Sequence, residues 1–284
     1  MFLTLTIVTV LMFAGASFFS IVSIYSDNEL YERITAYAVF SALVSFILLG
    51  SARVIMSADA NFIDMVSTIW GYFYVFSTLL ILIVIYLYFS QWQKHWKAFV
   101  AFTAPFITVL MLISIPFIES TRRVAATQGP DSLIASLLPA HILLSIAGEL
   151  FFFFSFIGSI LFLLMERQLR NKTSLGIISR LPNLETIENF NAWAIARAMA
   201  LISGGLLLGI VMTVLSYGTL FKGTPKASHI YFSWLTIFSI FVMRRGKKIS
   251  SRTMCIMNIV MFSIIMFLYI FTNVYIIKGF HGFK

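Results

Sequence analysis

The chain has 284 residues, of which 60% are hydrophobic and only 11% are charged. A soluble domain carries roughly 25% charged residues, and part of every soluble fold must face water. The composition therefore excludes a soluble globular protein and predicts an integral membrane protein. The formal net charge of +9 lies in short basic runs between apolar segments, such as residues 244–248, where it indicates membrane topology and no nucleic-acid partner.

Apolar stretches of about 20 residues recur along the chain, and each is long enough to cross a hydrocarbon core of roughly 30 Å as an α-helix. We predict an all-α, polytopic transmembrane helix bundle that forms a single domain over residues 1–284. The first span lacks the basic segment of a signal peptide, so we interpret it as retained. The eight predicted spans are residues 2–25, 34–56, 68–90, 98–118, 141–165, 194–217, 228–243 and 253–277.

The lysines and arginines predict the orientation. With eight spans, thirteen of the 20 basic residues fall on one side of the membrane and seven on the other. The side with thirteen is expected to be cytoplasmic under the positive-inside rule. Both termini, the loops near residues 119–140 and 218–227, and the tail 278–284 then lie outside. We place the protein in a bacterial cytoplasmic (inner) membrane as a multi-pass protein whose solvent is the lipid bilayer.

The longest predicted cytoplasmic connection runs from about residue 166 to residue 193. Within it Leu181, Leu184, Ile187 and Phe190 recur every three residues after Pro182. This spacing predicts a short helix with one apolar stripe, lying at the membrane surface or under the bundle. It is either an ordinary packed connector or a docking segment.

Three of the four histidines are predicted to lie on the outer face. His141 opens the fifth span, His229 opens the seventh and His281 lies in the outer tail, whereas His95 lies in an inner loop. Neutral imidazole is a metal ligand, and two imidazoles can hold a haem iron from opposite faces. The alternative interpretation is that these are amphipathic residues at the membrane boundary.

Motifs for bond-making chemistry are absent from the sequence. Cys255 is the only cysteine, which excludes a dithiol oxidoreductase and a c-type cytochrome. The sequence contains no HExxH, no Walker-type loop and no GxSxG elbow. We therefore do not expect an enzyme.

Two features of the apolar spans have more than one interpretation. Glu149 lies eight residues past His141, and an intramembrane carboxyl is either a functional group or a hydrogen-bonded structural one. It is too deep to share a ligand site with His141 but could serve as a supporting or proton-handling group. Gly204, Gly205 and Gly209 predict a helix-packing face.

Four segments in residues 135–284 resemble the CcsA/HemX-type cytochrome c assembly proteins, including the YpjD-like branch. They are His141 with the following span through residue 170, the LPNLET stretch at 181–186, Pro225-Lys226 followed by Trp234, and Asn273 followed by residues 279–283. The N-terminal half resembles this family only as a set of hydrophobic spans. The ordered set of four segments, rather than any one of them, carries the resemblance.

The resemblance implies a haem site on the outer face. In the family, two outer histidines flank a tryptophan-rich outer loop called the WWD segment. His141 and His281 match those histidines and would be axial ligands of a haem b iron. Thr224 stands where the family has Asp, and His229 stands where it has a later Trp. The residues of the matching region are Tyr217, Gly218, Pro225, Lys226, His229 and Trp234.

The leading functional hypothesis is a protein of c-type cytochrome biogenesis that binds or presents haem outside the membrane. Its partners would be haem, other assembly membrane proteins and apocytochrome c, with covalent attachment left to a partner or to the cytochrome's own thiols. The alternative is a HemX-like non-catalytic protein that influences haem synthesis or supports a transporter, with segment 166–193 as its working surface. A secondary transporter would require inverted repeats and broken helices, which the sequence does not show.

Overall fold

The computed structural model describes residues 2–26, 28–56, 69–89, 96–117, 132–171, 183–221, 223, 225–246 and 249–271. Within these residues every regular element is helical, which confirms the predicted helical bundle. The eight α-helices are α1 (Phe2–Tyr25), α2 (Glu29–Met56), α3 (Ile69–Phe89), α4 (Trp96–Ser114), α5 (Ser132–Asn171), α6 (Leu184–Tyr217), α7 (Pro225–Arg245) and α8 (Ser251–Phe271). A short 3-10 turn, Ile115–Phe117, follows α4.

Among the described residues, five helices are long and apolar enough to cross a membrane, namely α1, α2, α5, α6 and α8. α3 and α4 contain shorter apolar segments, Trp70–Tyr86 and Val100–Ser114. α7 does not belong to either group, since basic residues lie at both of its ends. Its 21 residues would still span roughly 31 Å. The chain is a multi-pass helical membrane protein, and the crossing of the bilayer by all eight helices stays a prediction.

α5 and α6 are longer than the spans predicted for them. α5 has 40 residues and α6 has 34. At a rise of 1.5 Å per residue they measure roughly 60 Å and 51 Å, against a hydrocarbon core of roughly 30 Å. Apolarity locates the membrane-embedded part of a helix but not its ends, so residues 132–140 and 184–193 were left out of the predicted spans. The helix continues through Pro139.

The prediction of a separate short helix in the connection 166–193 was wrong. Residues from Leu184 onward form the first turns of α6, while Leu181 and Pro182 lie outside the described residues. Asn183 caps this helix, because its side-chain oxygen accepts a hydrogen bond from the backbone N–H of Thr186 at 2.8 Å. The apolar stripe packs on α5 instead of on the membrane surface: Ile187 is buried, and the Phe190 ring lies against Phe154 at 6.4 Å.

The helices form two compact units, α1–α4 and α5–α8. In the first unit the Phe46 ring stacks on Tyr74 with centroids 4.3 Å apart, and Phe13 meets Phe46 edge-on at 5.7 Å. The Tyr74 hydroxyl donates to the Phe46 carbonyl at 3.0 Å. Gly50 makes room for that hydroxyl, since a Cβ there would lie 1.9 Å from it. That residues 1–284 act as one domain stays a prediction.

In the second unit, polar side chains from α5, α6 and α8 meet in the interior. The Asn258 amide donates to the hydroxyls of Ser155 and Ser159, the latter at 3.1 Å. The Asn191 amide donates to the Cys255 sulfur at 3.7 Å. Interhelical hydrogen bonds in membrane proteins contribute only about 0.6 kcal/mol each. The main effect of this cluster is therefore to fix how the three helices are aligned, because a shift of one helix would break these hydrogen bonds.

Charged residues connect the helices at one end of the second unit. At this end α5 and α7 finish, and α6 and α8 begin. The Ser251 hydroxyl donates to the Glu188 carboxylate at 2.5 Å, and the Arg244 guanidinium donates to the Glu188 carbonyl. Arg252 lies 3.7 Å from Glu166. These contacts tie all four helices together at the end that the basic residues predict to be cytoplasmic.

Candidate functional site

α5 and α6 are antiparallel and pack closely because glycines lie between them. A Cβ at Gly148 would lie 2.3 Å from the side chain of Ile202 and 2.9 Å from its backbone nitrogen. A Cβ at Gly205 would lie 2.6 Å from the Ser145 hydroxyl. Gly209, one turn further along α6, faces α5 in the same way. The packing face predicted at Gly204, Gly205 and Gly209 lies against α5, where a Cβ at Gly204 would be at an ordinary contact distance of 3.6 Å from Leu144.

His141 lies in this interface. Its Nδ1 is 2.7 Å from the carbonyl oxygen of Gly205. A carbonyl can only accept a hydrogen bond, so Nδ1 carries the proton, and the lone pair of a neutral ring is on Nε2. Metal-binding histidines are commonly oriented by such a bond from the other ring nitrogen to a backbone carbonyl. The ring also lies against Gly209, where a Cβ would be 2.9 Å from its Cε1.

A cavity of about 320 Å³ opens beside His141. This is at the lower end of the roughly 300–1,000 Å³ that small-molecule sites occupy. Leu220, which is 71% exposed, and Phe221 lie at its rim. The lining residues come from α5, α6, the following loop and α7, and they are Ile134, Leu138, His141, Leu206, Gly209, Ile210, Met212, Thr213, Ser216, Tyr217, Leu220, Phe221, Ile230 and Tyr231.

The chemistry of the described lining is apolar and uncharged, with a few hydroxyls. The Thr213 hydroxyl donates to the Gly209 carbonyl at 2.8 Å, and the Tyr231 hydroxyl donates to the Leu220 carbonyl at 3.3 Å. The Phe221 and Tyr231 rings meet edge-on at 5.3 Å. The cavity therefore combines aromatic and aliphatic walls with the imidazole of His141. This arrangement suits a flat apolar ligand that carries a metal centre.

Residues 28–281 match the family described as "Cytochrome C assembly protein". The chain belongs to this cytochrome c assembly family. Its membership supports a role in c-type cytochrome biogenesis, in agreement with the multi-pass helical fold. No curated protein and no solved structure matches the chain.

The end of α6 and the loop that follows it contribute to the cavity wall. Tyr217, Leu220 and Phe221 all line the cavity. Gly218 ends α6 in the left-handed conformation, with φ of 67°, and its N–H donates to the Val214 carbonyl at 2.8 Å. This conformation favours glycine, and it turns the chain at the cavity rim. The aromatic part of the cavity wall is thus made of tyrosine and phenylalanine among the described residues.

His229 and Trp234 both lie in α7, and their side chains bond to neighbouring helices instead of lining the cavity. The Nε2 of His229 donates to the Ile265 carbonyl at 3.1 Å, and its ring lies 5.8 Å from that of Tyr269. The indole N–H of Trp234 donates to the Ser203 hydroxyl at 2.9 Å. Neither residue lines the cavity in the described part of the chain. Both hold α7 against its neighbours.

Three other predicted site residues lie partly or wholly outside the described residues. Pro225 and Lys226 begin α7, but their side chains are outside the described set. His281 lies outside the described residues altogether. The role of His281 as a second haem ligand therefore stays a prediction, as do the roles of Pro225 and Lys226.

Glu149 is two turns from His141 along α5 and does not line the cavity. The structural and the proton-handling interpretations of Glu149 both remain open.

Several cavity residues were not predicted from the sequence. Among them are the α6 residues Thr213 and Ser216 and the α7 residue Tyr231. Thr213 and Ser216 follow Gly209 at intervals of four and seven residues, which places all three on one helix face. Among the described residues, no three His, Cys, Asp or Glu side chains are grouped closely enough to hold a metal ion.

Proposed function

We propose that this protein binds haem beside His141 and holds it at the outer membrane face for c-type cytochrome assembly. The observation that carries the proposal is the fixed imidazole: its Nδ1 is engaged by the Gly205 carbonyl, and the ring lines an apolar, aromatic-walled cavity. Bound haem would supply the prosthetic group that is transferred to the cytochrome. The described chain provides binding and orientation, and no covalent attachment chemistry is assigned to it.

The walls fit the apolar body of a porphyrin. Tyr217, Phe221 and Tyr231 offer rings to the macrocycle, and Ile210 and Leu206 offer aliphatic surface. The volume of about 320 Å³ would admit part of the ring, so the remainder would protrude past the exposed rim at Leu220. A haem that protrudes from its site is accessible to a second protein, as presentation requires.

The remaining ligands are assigned from the resemblance and from charge. His281 would be the second axial ligand of a haem b, which suits the bis-imidazole ligation implied by the family. Lys222, Lys226 and Lys278 would pair with the propionates, since ammonium–carboxylate hydrogen bonds are strong. Partners would be apocytochrome c and other assembly membrane proteins. The positive-inside rule would place this end of the second unit outside a bacterial cytoplasmic membrane.

A second candidate is a HemX-like protein that influences haem synthesis or supports a transporter without delivering haem. It is favoured by the position of Trp234, since none of the described lining residues is a tryptophan. Under this candidate, loss of the protein would change cellular haem or transport before it changed cytochrome c.

The experiment is complementation of a strain that lacks the protein. Cytochrome c with covalently bound haem is quantified by haem staining, alongside total cellular haem. We expect wild type and Leu207→Ala to restore cytochrome c, because Leu207 is exposed on α6 and does not line the cavity. His141→Ala and His281→Ala should each fail. Full restoration by the double variant would refute the proposal, and a change in total haem with normal cytochrome c would favour the second candidate.

A further inference from the structure

Gly209 occupies a position where only the absence of a side chain lets His141 keep its place. A Cβ built at Gly209 would lie 2.9 Å from Cε1 of the imidazole, 3.3 Å from Nδ1 and 3.8 Å from Nε2. Real Cβ atoms essentially never approach another heavy atom within 3.0 Å. The ring would have to move if any side chain were present.

The ring has little freedom to move while keeping its hydrogen bond. Its Nδ1 lies 2.7 Å from the Gly205 carbonyl, which belongs to the same helix as Gly209 and is one turn away. A shift away from residue 209 therefore changes the distance or angle of that bond. Hydrogen bonds weaken steeply as their geometry departs from linear. Without this bond, nothing would favour the tautomer that carries its proton on Nδ1 over the one that carries it on Nε2.

Other glycines of α6 provide internal comparisons. A Cβ at Gly204 would meet only Leu144, at an ordinary contact distance of 3.6 Å. A Cβ at Gly205 would meet the Ser145 hydroxyl at 2.6 Å and the Ser145 backbone nitrogen at 3.2 Å. Gly205 is thus a position of contact with the backbone of α5, whereas the three heavy atoms nearest to a Cβ at Gly209 all belong to the imidazole of His141.

We propose that Gly209 is a positioning residue for the His141 imidazole. By leaving the ring space against α6, it keeps Nδ1 on the Gly205 carbonyl and Nε2 as the nitrogen available to iron. The assignment rests on the proposed haem-binding function. Groups that orient a metal ligand typically change metal affinity by about 10–100-fold when they are altered.

The first test is a hemin titration of the purified full-length protein in detergent, followed by its absorption spectrum. We expect Gly209→Ala to weaken hemin binding by at least about 10-fold and to shift the absorption bands, as a displaced axial ligand should. Gly204→Ala is the matched control and should bind within about twofold of wild type. Wild-type affinity and an unchanged spectrum in Gly209→Ala would overturn the proposal.

A second measurement separates positioning from helix packing. Thermal melting of the ligand-free protein is recorded for Gly209→Ala in the wild-type and His141→Ala backgrounds. If Gly209 acts through the imidazole, the substitution lowers the melting temperature only where His141 is present. Gly205→Ala should lower it in both backgrounds. An equal loss for Gly209→Ala in both would overturn the positioning role.

The two tests also separate this inference from the function on which it rests. If the wild-type protein binds no hemin, the haem proposal fails, and with it the part of the inference that concerns iron. The comparison of melting temperatures in the two backgrounds would still decide whether Gly209 positions the imidazole. If hemin binds in a His141-dependent way but Gly209→Ala has no effect, only the positioning role fails.

Discussion

The Nδ1 of His141 on α5 lies 2.7 Å from the backbone carbonyl of Gly205 on α6, 64 residues further along the chain. This hydrogen bond links the two longest helices of the structure and determines which ring nitrogen is left for a ligand. Because the acceptor is a backbone atom, the arrangement depends on the alignment of the helices and not on another side chain. The orientation of the candidate ligand therefore depends on how α5 and α6 pack together.

This relationship predicts different outcomes for two substitutions of His141. Asparagine can place an amide N–H near the position of Nδ1 but has no nitrogen that ligates iron. We expect His141→Asn to retain most of the stability and to lose His-dependent hemin binding. His141→Ala should lose the binding and also about 1 kcal/mol of stability, since the Gly205 carbonyl loses its partner. Unfolding in mixed micelles and hemin titration measure the two effects. Equal stability loss in both variants would contradict the role of the hydrogen bond.

Filling the cavity should prevent ligand binding without disturbing the fold. Ser216 lines the cavity, whereas its neighbour Leu215 is exposed on α6 and does not. We expect Ser216→Phe to weaken hemin binding by about 10-fold or more, equivalent to about 1.4 kcal/mol. Leu215→Phe should stay within about twofold of wild type. Equilibrium titration provides the comparison, and equal affinities of the two variants would place the haem elsewhere.

Gly158 should be intolerant of a side chain. A Cβ there would lie 2.1 Å from Oδ1 of Asn191, a residue that is 1% exposed. Overpacking a buried interface costs about 1–3 kcal/mol, so Gly158→Ala should reduce the free energy of unfolding by that amount. Gly15 is the control, because nothing lies within 4 Å of a Cβ built on it. Gly15→Ala should be neutral or stabilise by up to about 1 kcal/mol. A neutral Gly158→Ala would show that α5 and α6 do not pack as described.

The predicted orientation can be tested by labelling with a membrane-impermeant maleimide. The native Cys255 is buried and would first be replaced by serine. Asn171 ends α5 and Thr219 follows α6, and both are exposed. We expect Thr219→Cys to be labelled in intact cells and Asn171→Cys only after permeabilisation. The opposite pattern would place the cavity on the cytoplasmic side.

Apolar runs were sufficient to predict the helices, because a run of about 20 apolar residues has few alternatives to a membrane helix. The same signal did not predict the ends of α5 and α6, since polar residues continue a helix once they lie outside the hydrocarbon. Asn183 is a residue type that favours the start of a helix, and it caps α6 by accepting from the Thr186 N–H. The prediction relied instead on the apolar spacing of Leu184, Ile187 and Phe190. That spacing was interpreted as a surface helix when it is the face of α6 that packs on α5.

The candidate site was predictable only in part. His141 and Tyr217 were identified from the sequence, and the cavity contains both. Trp234 was predicted as part of the region that matches the WWD segment, but its indole N–H donates to the Ser203 hydroxyl. Which face of α7 turns toward α6 is a tertiary property that one sequence does not reveal. The pairing of Gly209 with His141 likewise required the alignment of α5 against α6, which the small residues indicated but did not specify.

The most direct test of haem binding at His141 is the absorption spectrum of the purified protein during hemin titration, with and without that histidine. Wild type should show the spectrum of an imidazole-ligated haem and saturate at one haem per chain. His141→Ala should lose that spectrum and bind at least about 10-fold more weakly. Hemin binding of the same affinity and spectrum in wild type and His141→Ala would contradict the assignment of the site.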